Sequence, residues 1–160
     1  MTEKEDNYEK IVFKYQSHIL DEITVENMWA EIIDKPNGIY RLDSIPFYGP
    51  LIATGDEFYA EYDGTEERLT YRNTTKHSGN SIVVIVIIKK CFDKEIIRDE
   101  FKKLDCLSEG LNEAYFSMEV LKETDYSKIR NIMENYEQNG ILEFAEPCLS
   151  DKHRSDLKNN

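Results

Sequence analysis

Seven consecutive apolar residues, Ile82 to Ile88 (IVVIVII), constrain this chain more than any other stretch. β-branched side chains favour extended backbone, and a strand with one wet face would alternate apolar with polar residues. Here neither face is wet, so both faces of the strand must be covered. Ser78-Gly79-Asn80 turns the chain into the run, and Lys89-Lys90 ends it. Short strands and turns precede it, and strands alternating with two helices follow. The pattern predicts an α+β fold. A small curled antiparallel β lobe (a partial barrel) covers 8–75 and a β-α-β-α-β lobe covers 76–147, sharing the central strand at 82–88. A chain of 160 residues suits one domain, 1–160, with the polar run Asn73 to Asn80 as the join between lobes. Residues 148–160 read as a flexible polar tail.

The first half is punctuated by turn residues. After a polar lead, Tyr8 to Tyr15 reads as a strand with Ile11 and Phe13 on one face, followed by a loop carrying His18. Thr24 to Ile33 alternates Met28, Ala30 and Ile32 with Trp29, Glu31 and Ile33, which favours a strand over a helix. A single tryptophan in a strand is expected in the core. Lys35-Pro36-Asn37-Gly38 is a strong turn, and Ile39 to Ile45 should pair back as a hairpin. Pro46 to Pro50 breaks the strand and Gly55-Asp56 turns. Glu57 to Tyr62 and Arg68 to Thr74 are two further strands around Asp63-Gly64.

In the second half, Asp93 caps a helix whose apolar stripe is Ile97, Phe101 and Leu104, with Ile96 beside it. Leu107 to Glu113 reads as a loop and Ala114 to Leu121 as a strand. Thr124 or Asp125 caps a second helix with Ile129, Ile132, Met133 and Tyr136 on its stripe, and Gly140 closes it. Ile141 to Ala145 is the last strand. Right-handed crossovers place both helices on one face of the sheet.

The net charge is −12, and residues 1–90 and 91–160 each carry six net negative charges. The acidity belongs to the whole surface. It disfavours nucleic acid and anionic membrane as ligands and attracts a basic partner. The three cysteines, Cys91, Cys106 and Cys148, form no C-x-x-C pair, which disfavours a disulfide framework or zinc ribbon. Cys91 and Cys106 suit inert apolar roles. The opening residues Met1 to Asn7 are acidic and polar with no apolar signal core behind them, and nothing approaches the length of a membrane span, so a reducing cytoplasm is the expected location.

Motifs for chemistry are sparse. His18, His77 and His153 are far apart, with no metal-ligand spacing. Ser78 and Ser81 flank Gly79 beside His77, but without the strand-turn-helix elbow of a nucleophile. No glycine-rich loop precedes a helix to cradle phosphate. No catalytic, cofactor-binding or metal residue is therefore assigned, and no cofactor is expected. The densest acidic cluster is Glu61, Asp63, Glu66 and Glu67 at a hairpin tip. With Tyr59 and Tyr62 as rigid contact area, it is the candidate docking patch for a cationic partner.

Several motifs occur in order: Met28-Trp29-Ala30-Glu31, then Gly38 to Tyr48 (GIYRLDSIPFY), then Ala53-Thr54-Gly55-Asp56, then Ser78-Gly79-Asn80-Ser81 before a strand. In this order they resemble a bacterial family catalogued only as a domain of unknown function, over roughly residues 10–145. Members share W-A-E, G-x-Y-x-L-x-x-I-P-F, G-D and R-S-G-H-S patterns. Here His77 stands in place of the family's Arg, and Asn80 in place of its His. The resemblance implies one fold across the chain and no activity.

Small size, uniform acidity and the lack of a catalytic motif lead to an expected function. It is an immunity-type inhibitor that binds and blocks a cationic, nuclease-like toxin domain through an acidic surface. The alternative is a small-ligand-binding or regulatory α+β module.

Overall fold

The computed structural model describes residues 6–17, 21–48 and 51–159. The loop around His18, the Gly49-Pro50 break and the polar lead over residues 1–5 lie outside the described residues. The chain divides into two compact units, Met1–Ser78 and Gly79–Asn160.

The first unit is an antiparallel meander of five strands: β1 (Tyr8–Ser17), β2 (Glu22–Asp34), β3 (Ile39–Leu42), β4 (Glu57–Asp63) and β5 (Arg68–Lys76). In an odd-numbered meander the first and last strands point the same way. Closure is accordingly parallel, through the single pair Val12 and Thr70, and the barrel is partly closed. Alternation decides what lies inside. Ile11, Phe13, Met28, Ala30, Tyr40, Leu42, Phe58 and Ala60 form the core, with Ile52 closing it. Phe58 packs edge-on against Phe13 at 5.2 Å between ring centres, and Tyr71 stacks on Phe13 at 5.1 Å.

The β2–β3 hairpin turns through a 3-10 turn, Lys35–Asn37, in which the Asp34 side chain accepts from the Asn37 amide. Gly38 then takes φ +70, and a Cβ there would lie 2.7 Å from the Ala60 carbonyl oxygen. Only Gly fits both requirements. β3 stops at Leu42, short of the expected Ile45. There Leu42 exchanges backbone hydrogen bonds with Asp56 and Gly55 of the next turn.

The second unit has a four-stranded antiparallel sheet: β6 (Ser81–Ile87), β7 (Ser108–Gly110), β8 (Tyr115–Val120) and β9 (Leu142–Cys148), in the order β7-β8-β6-β9. Its helices are α1 (Lys94–Lys102), α2 (Tyr126–Gln138) and α3 (Asp151–Lys158). Asp93 and Asp125 cap α1 and α2, each accepting a backbone N–H. β6 and β7 run one way, β8 and β9 the other, because β8 and β9 are both antiparallel to β6. α1 and α2 thus each link two parallel strands with a third between them. This is the split β-α-β arrangement of ferredoxin-like folds. Val83, Ile85 and Ile87 share one core with Ile97 and Phe101 of α1 and Ile129 and Met133 of α2, so both helices lie on one face. Ile82 and Val84, on the opposite face, are also buried.

Three expectations need correction. By hydrogen bonding the apolar run belongs to the second sheet alone, because β8 and β9 occupy both of its edges. The second unit is β-α-β-β-α-β, because residues 108–110, read as loop, pair with β8. Residues 148–160 are not a loose tail. Cys148 ends β9, Ser150 caps α3 by accepting the His153 amide, and the His153 side chain is fully buried.

Candidate functional site

The predicted docking residues lie on and after β4. Tyr59, Glu61 and Asp63 alternate along the strand and share its outer face. Arg72, on the neighbouring β5, spans two of them: Nε donates to Glu61 at 3.0 Å and a terminal nitrogen to Asp63 at 2.7 Å. The Tyr59 hydroxyl donates to the other Glu61 oxygen at 2.9 Å. Asp63 also accepts the Thr65 and Glu66 amides, which builds the hairpin turn. The Arg72 guanidinium, with those two amides, holds the Asp63 carboxyl at about 2. The Tyr59 hydroxyl and then Arg72 lower Glu61, and the same bond to Glu61 raises Tyr59.

Glu66 pairs with Lys14 at 3.2 Å. Tyr62 is 66% exposed, and Glu67 makes no ion pair among the described residues. The cluster is therefore real but internally compensated, with Arg72 and Lys14 set against four carboxylates. Its contribution is a fixed shape more than a concentrated charge.

The same outer surface continues across the sheet. Tyr59 is opposite Ile39, and Glu57 opposite Arg41, which in turn is opposite Glu31. Arg41 pairs with Glu31 at 3.3 Å and Glu57 at 3.8 Å. On β2, Ile23, Val25, Trp29 and Ile33 point outward. Trp29, expected in the core, is instead 50% exposed, with the Lys10 ammonium 5.8 Å from its ring centre. Alternation accounts for this: with Met28 and Ala30 inside, Trp29 must face out.

Two buried carboxylates anchor the irregular segments beside this sheet. Glu26, on the inward face of β2, accepts the Phe47 amide at 2.7 Å, the Tyr48 amide at 3.3 Å and the Tyr15 hydroxyl. Asp56 accepts the Ala53 amide at 3.0 Å and the Ser78 amide at 2.8 Å, and His77 Nδ1 lies 3.3 Å away. The Ser78 hydroxyl donates to the Thr54 carbonyl at 2.8 Å. Asp56, His77 and Ser78 do not form a nucleophile-base-acid relay, since the hydroxyl is committed to a backbone oxygen. The G-D and S-G segments of the sequence thus meet at one carboxylate that fixes a loop. Glu26 carries a readable signal, an acid at a position whose neighbours Met28 and Ala30 are core.

In the second unit, Ser81 and His153 form a fully buried pair. Tyr126, also buried, donates to Glu146, which pairs with Arg130 at 3.2 Å. Burial and then that bond push the Tyr126 hydroxyl far up. Clefts among the described residues of this unit include the following. One, of about 400 Å³, is lined by Lys103, Asp105, Glu123 and Lys128 among others; the second, of about 640 Å³, lies by Cys91, Lys94 and Asn112. Cys91 is exposed, against expectation, because the chain leaves β6 before it and turns there at φ +64. Cys106 is buried, and burial raises its thiol to about 12, the inert state expected of it. Among the described residues no cluster of His, Cys, Asp or Glu is placed to hold a metal ion, and no helix is long and apolar enough to cross a membrane.

Fold and surface together define an α+β protein of two small units, one a partly closed barrel and the other ferredoxin-like. The chain belongs to the family described as Domain of unknown function (DUF4265), whose model matches residues 26–144. No curated protein matches it. It is similar in fold to a crystal structure of a hypothetical protein from Neisseria gonorrhoeae. The two share 24% sequence identity over 88% of this chain and 94% of that one, with a TM-score of 0.75.

Proposed function

We propose that this protein is an immunity-type inhibitor, cytoplasmic, that binds and blocks a cationic toxin domain of nuclease type. The observation that carries the reading is the outer face of β4. Arg72 holds Glu61 and Asp63 in place, Tyr59 is tied to Glu61, and Tyr62 stands exposed at the tip. Side chains held before encounter lose little entropy on binding. A net charge of −12 supplies long-range attraction to a surface that has evolved to hold phosphate. Because Arg72 and Lys14 offset part of the local charge, steering comes from the whole chain and the hairpin supplies fit.

The test is a pull-down from the native host with tagged protein at low and moderate salt, with mass spectrometry of what is retained. The expected result is one basic protein held at low salt and released as salt rises. It should also be held less well by a variant combining Glu61→Gln and Glu67→Gln, which leaves the turn-building Asp63 in place. Retention that ignores salt, or an acidic partner, would overturn the proposal.

A further inference from the structure

The C-terminal helix is fastened to the second unit through the one buried residue it contributes, His153. Its ring is fully buried and both nitrogens are committed. Nε2 lies 3.0 Å from the Leu121 carbonyl, which can only accept, so Nε2 carries the proton. Nδ1 is then the bare nitrogen, and it accepts the Ser81 hydroxyl at 2.6 Å. The Ser81 oxygen in turn accepts the Ser150 amide at 2.9 Å, at the first residue of the helix cap. The docked ring is thus a neutral imidazole of one tautomer.

We propose that α3 is an acid-released latch: protonation of His153 at Nδ1 breaks the Ser81 hydrogen bond and undocks the helix while the sheet beneath stays folded. A second proton on the ring turns Nδ1 into a donor facing the hydroxyl proton of Ser81. The Ser81 oxygen can accept both this N–H and the Ser150 amide, but its own hydroxyl proton must then turn away from Nδ1, and among the described residues that fully buried hydroxyl has no other acceptor.

The charged and titratable groups around the ring do not offset this. On α3 itself, Lys152 opposes a second positive charge, and Asp156 favours it but is committed to the Tyr126 amide at 3.0 Å and to Lys152 at 2.8 Å. From α2, Tyr126 faces the ring at 5.3 Å between centres, and its hydroxyl is committed to Glu146. From β6 comes only the Ser81 hydroxyl, and from the segment before α2 the Leu121 and Thr124 carbonyls. Burial depresses His153 below the ordinary imidazole value of 6.5, in keeping with this geometry.

Beyond the ring, the helix is held by the Asp156 bond to the Tyr126 amide, a Lys152 bond to the Thr124 carbonyl at 2.9 Å and one apolar side chain. Leu157 is a partly buried apolar contact, and the rest of DKHRSDLK is polar. Opening frees a histidine of ordinary affinity for protons, so protons favour the open form. The opening equilibrium should rise about tenfold per pH unit as pH falls from 6.5 toward the docked value.

Hydrogen exchange of the full chain, measured segment by segment from pH 7.5 to 5 and corrected for intrinsic exchange rates, tests this directly. The expected result is that amides of 152–158 lose protection as pH falls below about 6.5 while those of β6 and β8 keep theirs. His153→Gln, which can still donate to Leu121 and accept from Ser81, should remove the pH dependence. Protection of 152–158 that is flat across this range in the parent protein overturns the latch. So does loss in which β6 and β8 open together with α3, since that is global acid unfolding.

Discussion

Asp56→Ala is the substitution that most directly tests how the first unit is held together. The Asp56 carboxylate is 1% exposed and accepts two backbone amides, from Ala53 at 3.0 Å and from Ser78 at 2.8 Å. A hydrogen bond to a charged group contributes roughly 1.5–3 kcal/mol, and a buried donor left unpaired costs a further ~1–3 kcal/mol. Ala53 is fully buried, whereas Ser78 is only half-buried and recovers a water. Relief of the cost of burying the carboxylate offsets part of the loss. The net loss for Asp56→Ala comes to about 3 kcal/mol, a fall of roughly a hundredfold in the folded-to-unfolded ratio.

His77 makes the test discriminating. Its side chain is 69% exposed and its contact to Asp56 is 3.3 Å, so an ion pair here would be worth little. His77→Ala should cost less than about 0.5 kcal/mol. Asp56→Asn keeps one oxygen acceptor and turns an N–H₂ toward the other amide, so it should fall between the two, near ~1.5 kcal/mol.

Trp29 is the only tryptophan, lies in the same unit and is half exposed, which makes its fluorescence a reporter of this unit in urea titrations. A loss below about 1 kcal/mol for Asp56→Ala would refute the assignment of Asp56 as the loop anchor. A His77→Ala loss equal to it would instead move the energy from the backbone amides to the ion pair.

Other expected outcomes follow from the same geometry. Gly38→Ala should cost about 1–3 kcal/mol in the same titration, since Ala must hold φ +70 with its Cβ against the Ala60 carbonyl. Phe58→Ala, fully buried in the aromatic cluster, should cost about 3–5 kcal/mol, and Val25→Ala on the outer face about 0.5 kcal/mol or less. By NMR titration, Asp63 should give a carboxyl pKa of about 2, returning toward 3.8 in Arg72→Ala. The sign is that of a depressed carboxylate: whatever stability this bridge supplies is present above the ordinary value and is lost as pH falls through the folded one. A titration of Asp63 near 3.8 in the parent protein would show that the Arg72 bridge does not persist in solution.

The regular parts of this fold are legible in the sequence and the irregular parts obscure, for physical reasons. Ile82–Ile88 announces a strand covered on both faces because no polar residue interrupts it. The two amphipathic helices are readable from their stripes and capping aspartates. Residues 108–110 are not, since a three-residue strand is too short to show alternation. The topology shares that fate, because this short strand turns β-α-β-α-β into β-α-β-β-α-β. α3 reads as a tail because its sequence is nearly all polar. It docks by one buried histidine and by hydrogen bonds through Lys152 and Asp156, a solution that periodicity does not detect. Trp29 misleads for a different reason: the general preference of tryptophan for the interior is weaker than the alternation of its own strand.

The site is legible in composition and not in geometry. Acids near Glu61–Glu67 are plain in the sequence, but Arg72 and Lys14 reach them only through strand pairing. Glu26, Asp56 and the Ser81–His153 pair all satisfy main-chain amides or carbonyls where the chain leaves a regular ladder. Buried groups in that role are costly to remove wherever the protein acts, so loss of function on changing them carries no information about binding. The residues free to carry specificity are those the fold does not need. On the first unit these are Tyr62 and Glu67 at the hairpin tip and Ile23, Val25, Trp29 and Ile33 on the outer face of β2. Substitutions there should leave the urea midpoint, followed by circular dichroism, nearly unchanged, so a change in partner binding at these positions can be read as a change in contact.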